Sequence, residues 1–298
     1  MKALTRILPT LALLTGITVQ GAESHNPSQL EVYRPGDNSA HQISEHVERI
    51  TKSIDYSKRS GITNVHFQGT ALLPMAQGEA RVANRQGRAE ITAEFDGLVE
   101  AMRFGPEYLT YVMWAITPAG SATNLGEVVT KDAKSHLSIT TELKTFGLII
   151  TAEPYFAVSQ PSDTVVMENL FRKDSVGQIE EVDAKYELLP RGSYTVNVLP
   201  SKVHPIVPEP STPLHLYEAR NALWISLWAG AEENSGGLFA TAERLLQKAE
   251  AFQASRAGEM SVSTAARDAV QIAENARLVA LKHGSQNRIA ISDRVDSN

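Results

Sequence analysis

The groups in this 298-residue chain that could move protons or hold a metal are its eight histidines and its acidic side chains. Whether they do chemistry depends on whether their spacing makes them converge. The histidines are His25, His41, His46, His66, His136, His204, His215 and His283, and none stands in an HExxH arrangement, which would turn two imidazoles toward one zinc ion from a single helix face. His41 and His46 are the closest pair, and their spacing suits neither helix nor strand for shared ligation, so no metal is predicted. His66 and His136 fall on the polar parity of their segments, which predicts hydrated surface residues rather than general bases. Asp96 with Glu100, or Glu127 with Glu153, could serve as the acid and nucleophile of a glycosidase, a chemistry that needs only two carboxyl groups at a set separation. Acidic residues at strand ends and turns are ordinarily hydrated, and that is the expectation for both pairs.

The absence of cysteine removes disulfide scaffolds, thiolate zinc sites, iron–sulfur clusters and cysteine nucleophiles. No G-x-S-x-G elbow, G-x-x-x-x-G-K-[ST] phosphate loop or G-x-G-x-x-G turn is present either. The sequence therefore predicts no catalytic residue, no cofactor and no enzyme. A net charge of −6, with no concentrated basic stretch, argues against nucleic acid as a partner.

Aromatic residues say more. Trp114 lies on the apolar parity of its segment and is expected in the core. In a helix beginning near Pro213, Tyr217, Trp224 and Trp228 share one stripe, while Leu216, Ala219, Leu223 and Leu227 form another. Such a helix must be covered on two sides. Either one stripe packs on neighbouring helices and the other on the preceding domain or linker, or Tyr217, Trp224 and Trp228 form a partner-binding surface.

The elements that must position these groups come in two periods. Over 48–199 the pattern repeats every second residue, most clearly in Arg88-Ala89-Glu90-Ile91-Thr92-Ala93-Glu94-Phe95. The same alternation runs through Asn64–Gln68, the Val112, Trp114, Ile116 set, Leu137 with Ile139, and Leu148, Ile150, Ala152. Strands apolar on one side belong to antiparallel sheets packed face to face, so a β-sandwich of about nine to eleven short strands is predicted, with one face of each strand wet. Asn84-Arg85-Gln86-Gly87 and Pro118-Ala119-Gly120 supply hairpin turns. Residues 200–212 carry Pro200, Pro205, Pro208 and Pro210 and read as a stiff linker. From Pro213 to Gly284 the period is helical. Ser211-Thr212-Pro213 offers a cap and a first-turn proline, a second helix follows Gly236-Gly237, and a third ends at the C′ Gly284, making an α-helical hairpin or three-helix unit. Residues 285–298 are expected to be a disordered tail. The fold class is thus α+β in separate domains.

The N-terminus, residues 1–22, carries Lys2 and Arg6, an apolar stretch from Ile7 to Val19 and the small residues Gly21 and Ala22, the arrangement of a secretory signal peptide. The stretch falls short of the roughly 20 apolar residues of a membrane span and holds Pro9 and Gly16. Residues 23–47 are polar and aperiodic, a flexible arm. The mature chain is expected without a transmembrane span, in the periplasm or outside the cell.

Residues 105 to 171, with Tyr108-Leu109-Thr110-Tyr111-Val112-Met113-Trp114-Ala115-Ile116-Thr117-Pro118, Asn124-Leu125-Gly126-Glu127 and Thr151-Ala152-Glu153-Pro154-Tyr155-Phe156, resemble the β-sandwich extracytoplasmic domain of RskA-type anti-sigma factors. The segments Ala219-Arg220-Asn221-Ala222, Ala229-Gly230-Ala231-Glu232, Ala242-Glu243-Arg244-Leu245-Leu246 and Ala273-Glu274-Asn275-Ala276-Arg277 are similar to an alanine-rich helical domain that often stands before OmpA-like peptidoglycan-binding domains. The resemblances imply a fold and an envelope setting, with no anti-sigma function and no catalytic set. The expectation is a non-enzymatic exported scaffold or adaptor whose partner is another envelope protein. A carbohydrate- or small-ligand-binding sandwich is the alternative, with a carboxylate-dependent hydrolase third.

Overall fold

Strand β4, Arg88–Asp96, shows the sequence logic most plainly: Ala89, Ile91, Ala93 and Phe95 are buried and every residue between them is exposed. The computed structural model describes residues 47–59, 61–131, 134–170, 181–195 and 206–295. The segment expected to be a signal peptide, the expected arm up to residue 46 with His25, His41 and His46, and the part of the linker holding Pro200, His204 and Pro205 lie outside the described residues. Strands β1 (Val47–Asp55), β2 (Ile62–Gly69), β3 (Gln77–Arg85), β5 (Thr110–Ile116), β6 (Ala122–Glu127), β7 (Thr130–Lys131), β8 (Lys134–Thr141), β9 (Thr145–Glu153), β10 (Val165–Leu170) and β11 (Val182–Leu188) complete an 11-stranded sheet. Every strand pair is antiparallel. The β3–β4 hairpin closes on Gln86 and Gly87, both at positive φ, as a two-residue turn whose twist matches that of the strands.

The sheet runs β11-β1-β9-β10-β2-β3-β4-β8-β7, with β5 on the other edge of β9 and β6 beyond it. It curls until Gly126 of β6 faces Leu137 and Ile139 of β8, so it is nearly a barrel. Alternation specifies which side of a strand is dry, but not whether the dry side meets a second sheet or the same sheet curled round. Here it is the same sheet. Val65, Phe67, Ile91, Phe95, Tyr111, Met113, Leu148 and Ile150 fill its inside.

Strands β5 and β9 depart from the expected wet face. All seven residues of β5 are buried, as are the last eight of β9. Tyr111, Met113, Leu148 and Ile150 point into the curled sheet, whereas Val112, Trp114, Ile116 and Ile149 belong to a second core shared with the helices. Covering by helices removes the need for a polar side, and the two strands accordingly read as nearly continuous apolar runs.

The helices are α1 (Leu214–Trp228), α2 (Ala231–Asn234), α3 (Leu238–Ala254) and α4 (Glu259–Val295). Strands precede helices along the chain, the α+β order expected. Helix α1 packs against both longer helices, and Leu216, Leu223, Ile225 and Leu227 are buried. Each such side chain contributes roughly 1.5–3 kcal/mol. Ala265, Ala266, Ala269, Ala273 and Ala276 of α4 bury a small-residue seam close to Ala242 and Ala249 of α3. Two helix ends differ from expectation. Pro213 occupies the cap position of α1 without a side-chain bond, and Thr212 Oγ1 instead accepts from Gln253 Nε2 at 3.4 Å. Helix α4 runs on through Gly284 to Val295 instead of giving way to a disordered tail at 285, because an interior glycine costs only about 1 kcal/mol and helix formers follow it.

Candidate functional site

The sheet face beneath the helices is not wholly apolar. On β5 the parity that buries Val112 and Trp114 also buries Thr110, on β9 the parity of Ile149 carries Thr151 and Glu153, and Glu127 of β6 pairs with Val112. Buried polar groups at such a junction need partners, and the helices supply most of them.

One cluster is built from Glu127, His215 and Glu218 of α1, and Arg267 of α4. One ligand-capable atom from each of Glu127, His215 and Glu218 lies within 4.8 Å of the others. His215 and Glu218 meet because they stand three apart on one helix face. Thr110 Oγ1 donates to Glu127 Oε1 at 2.8 Å, and Arg267 Nη1 donates to Glu127 Oε2 at 3.2 Å. The same Nη1 lies 2.8 Å from His215 Nε2, and His215 Nε2 is 3.3 Å from Glu127 Oε2. The guanidinium also covers the Phe156 ring, 3.8 Å from its centroid. Burial would raise the Glu127 carboxyl, but the bonds and charges of His215, Thr110 and Arg267 outweigh it and hold it below the ordinary carboxylate range. Glu218 goes the other way. Burial, then the Glu127 charge beside it, push its carboxyl well above that range. Its Oε1 accepts from the Phe156 amide at 3.0 Å, but its Oε2 has no donor within reach. The two carboxyl groups stand side by side, and the charge on Glu127 disfavours ionisation of Glu218.

The second cluster centres on Glu153, which is fully buried. Trp114 Nε1 donates to Thr151 Oγ1 at 2.8 Å, and Thr151 donates to Glu153 Oε1 at 2.5 Å. The Ser162 amide and the Tyr194 hydroxyl add bonds of 2.7 and 3.1 Å. Desolvation prevails over these bonds and raises the Glu153 carboxyl to about 8, so it is neutral at pH 7. In the third cluster Arg277 grips Glu274 with two bonds of 2.7 and 2.9 Å, both side chains buried, while Tyr155 and the Ser159 amide donate to the same carboxylate. Asn221 Nδ2 donates to the carbonyls of Glu107 and Pro154. Asn221, Glu218 and Glu274 thereby hold the backbone that follows β9 through Pro154, Phe156 and Ser159.

Among the residues singled out from sequence, Glu127 and Glu153 do share the helix-covered face, on the two strands flanking β5, but each is engaged by its own set of donors. Asp96 and Glu100 are exposed, as expected. His66 and His136 are on the outer surface, and the register places them in one row, His66–Glu79–Glu94–His136, across β2, β3, β4 and β8. Each imidazole lies 3.9 Å from its neighbouring carboxylate, and the row borders an open groove. Trp114 is in the core. Tyr217 is buried and its hydroxyl accepts from the Glu209 amide at 2.7 Å, which ties the linker to α1. Trp224 and Trp228 are half-buried, pack on the helix–sheet core and stack on each other, with ring centroids 6.3 Å apart.

The Glu127, His215, Glu218 convergence was not anticipated, because β6 and α1 are separated by most of the sheet and only the fold brings them together. The one local signal was a histidine three residues before an acid on a largely apolar helix. No family model, curated protein or solved structure matches the chain. Among the described residues no helix is long and apolar enough to cross a membrane.

Proposed function

We propose that the protein is an exported, non-enzymatic scaffold or adaptor of the cell envelope, with its helical layer as the protein-binding module and the Trp224–Trp228 pair as its anchor. The observation that carries this reading is the stacked pair itself. The two largest side chains of α1 remain partly exposed on the C-terminal half of the helix, where aromatic anchors are effective in interfaces. The signal-like N-terminus and the RskA-type and alanine-rich resemblances support the envelope setting. The polar clusters under the helices support a structural use of the conspicuous acids, since their bonds attach the helices to the sheet.

A photo-reactive residue at the exposed position 232, four residues beyond Trp228, introduced in the native envelope and followed by identification of captured chains, tests the proposal. Trp224→Leu with Trp228→Leu keeps the apolar packing and removes the flat rings. Loss of capture with an unchanged unfolding midpoint is expected. Capture that survives the double substitution overturns the assignment. A second reading, binding of a glycan or other small polar ligand, is favoured only by the groove beside His66, Glu79, Glu94 and His136, and it gains if glycans rather than proteins co-purify.

A further inference from the structure

We propose that Glu127, His215 and Glu218 form a binding site for one divalent ion of the zinc class, which Arg267 closes when no metal is bound. Three observations converge on it. The ligand-capable atoms, one imidazole nitrogen and two carboxylate oxygens, lie within 4.8 Å of one another. Glu218 is completely buried, and its Oε2, with the Glu127 carboxylate for a neighbour, has no hydrogen-bond partner. Finally, Arg267 Nη1 already stands where a cation is wanted, 2.8 Å from His215 Nε2 and 3.2 Å from Glu127 Oε2.

The donor set selects the ion. One imidazole and two carboxylates leave open positions and suit a first-row ion such as zinc, whereas calcium takes six to eight oxygens and magnesium keeps several waters in an octahedral shell. Access is from the Arg267 side, because its side chain is 43% exposed and that of His215 is 22% exposed, against 5% for Glu127. The guanidinium lies over the Phe156 ring, and its partly exposed side chain has a solvent side toward which it can turn. Thr110, donating to Glu127 Oε1, and the Phe156 amide, donating to Glu218 Oε1, fix the two carboxylates from behind, as outer partners do in metal sites.

The full chain, stripped with chelator, is titrated with zinc chloride by calorimetry, and with cobalt(II) for its visible spectrum. One equivalent is expected to bind, with the intense bands of a tetrahedral or five-coordinate cobalt site. Outer-partner substitutions alone cost 10–100-fold in metal affinity, so His215→Ala and Glu218→Gln should each weaken this event about 100-fold or more. Arg267→Met, which removes the competing charge, should tighten it about tenfold or more. The other seven histidines can take up zinc weakly, and binding unchanged in both His215→Ala and Glu218→Gln assigns the event to them and overturns the site. So does calcium binding in preference to zinc, or no binding by either the wild-type chain or Arg267→Met. Should Glu218→Gln fail to fold, His215→Ala, at a partly exposed position, decides alone.

Discussion

Replacing Glu153 by glutamine isolates the energetics of one buried acid. In the folded chain desolvation lifts this carboxyl to about 8, and in the unfolded chain it titrates near its ordinary 4.5. Between those two values the folded state holds a proton that the unfolded state has released. Stability from this group is therefore complete below about pH 4.5 and falls as the pH rises, until above about 8 the buried carboxylate is carried at full cost. Each unit of that window is worth about 1.4 kcal/mol, so the whole effect is on the order of 5 kcal/mol. Glutamine reproduces the neutral form: its amide oxygen can accept from Thr151 and the Ser162 amide, and its NH2 faces Tyr194. Urea melts followed by tryptophan emission from pH 5 to 9.5 are expected to show matching stabilities at the acidic end. By pH 9 the variant should be the more stable protein by a few kcal/mol. Glu218 and the surface groups titrate in both proteins and cancel in the difference. Stability curves that run parallel across the range would refute the neutral-acid reasoning.

Two further substitutions probe the helix–sheet attachment. Glu274→Ala strands the buried Arg277 guanidinium and should cost about 3–5 kcal/mol in urea unfolding, while Glu274→Met combined with Arg277→Leu should recover most of it. A double variant as unstable as the single one would show that the pair is valued for more than mutual neutralisation. Ala269→Leu forces three carbons into the α3–α4 seam and should lower stability by about 1–3 kcal/mol, read from the thermal midpoint, and no change would mean the seam is looser than its buried alanines imply.

The period-two and period-3.6 patterns were enough to place strands before helices, to put Gln86 and Gly87 in a hairpin, and to start α3 after Gly237. Those are local properties, and local signals carry them. Closure of the sheet is not local, and nothing in the alternation of β4 distinguishes a sandwich from a curled sheet. For β5 the full residue run Thr110-Tyr111-Val112-Met113-Trp114-Ala115-Ile116 already hinted at burial on both faces, a hint obscured by attending to alternate positions alone. The polar clusters were legible only as residues. Glu127 and Glu153 stood out as a pair, but their actual partners, His215, Arg267 and Tyr194, come from elements that no spacing rule connects to them. Gly284 misled because the same residue ends helices cheaply and interrupts them cheaply.

Strands β5 and β9 serve as a partition with hydrophobic filling on either side. Such a partition ties the fates of the two compartments together: removing the helices would bare Val112, Trp114, Ile116 and Ile149 to water, and opening the curled sheet would remove the floor on which α1 rests. Neither compartment is a spare part that can be shed or exchanged intact. The chain should lose its structure in one step, and a truncation placed at the proline segment should leave a sticky remnant rather than a working half.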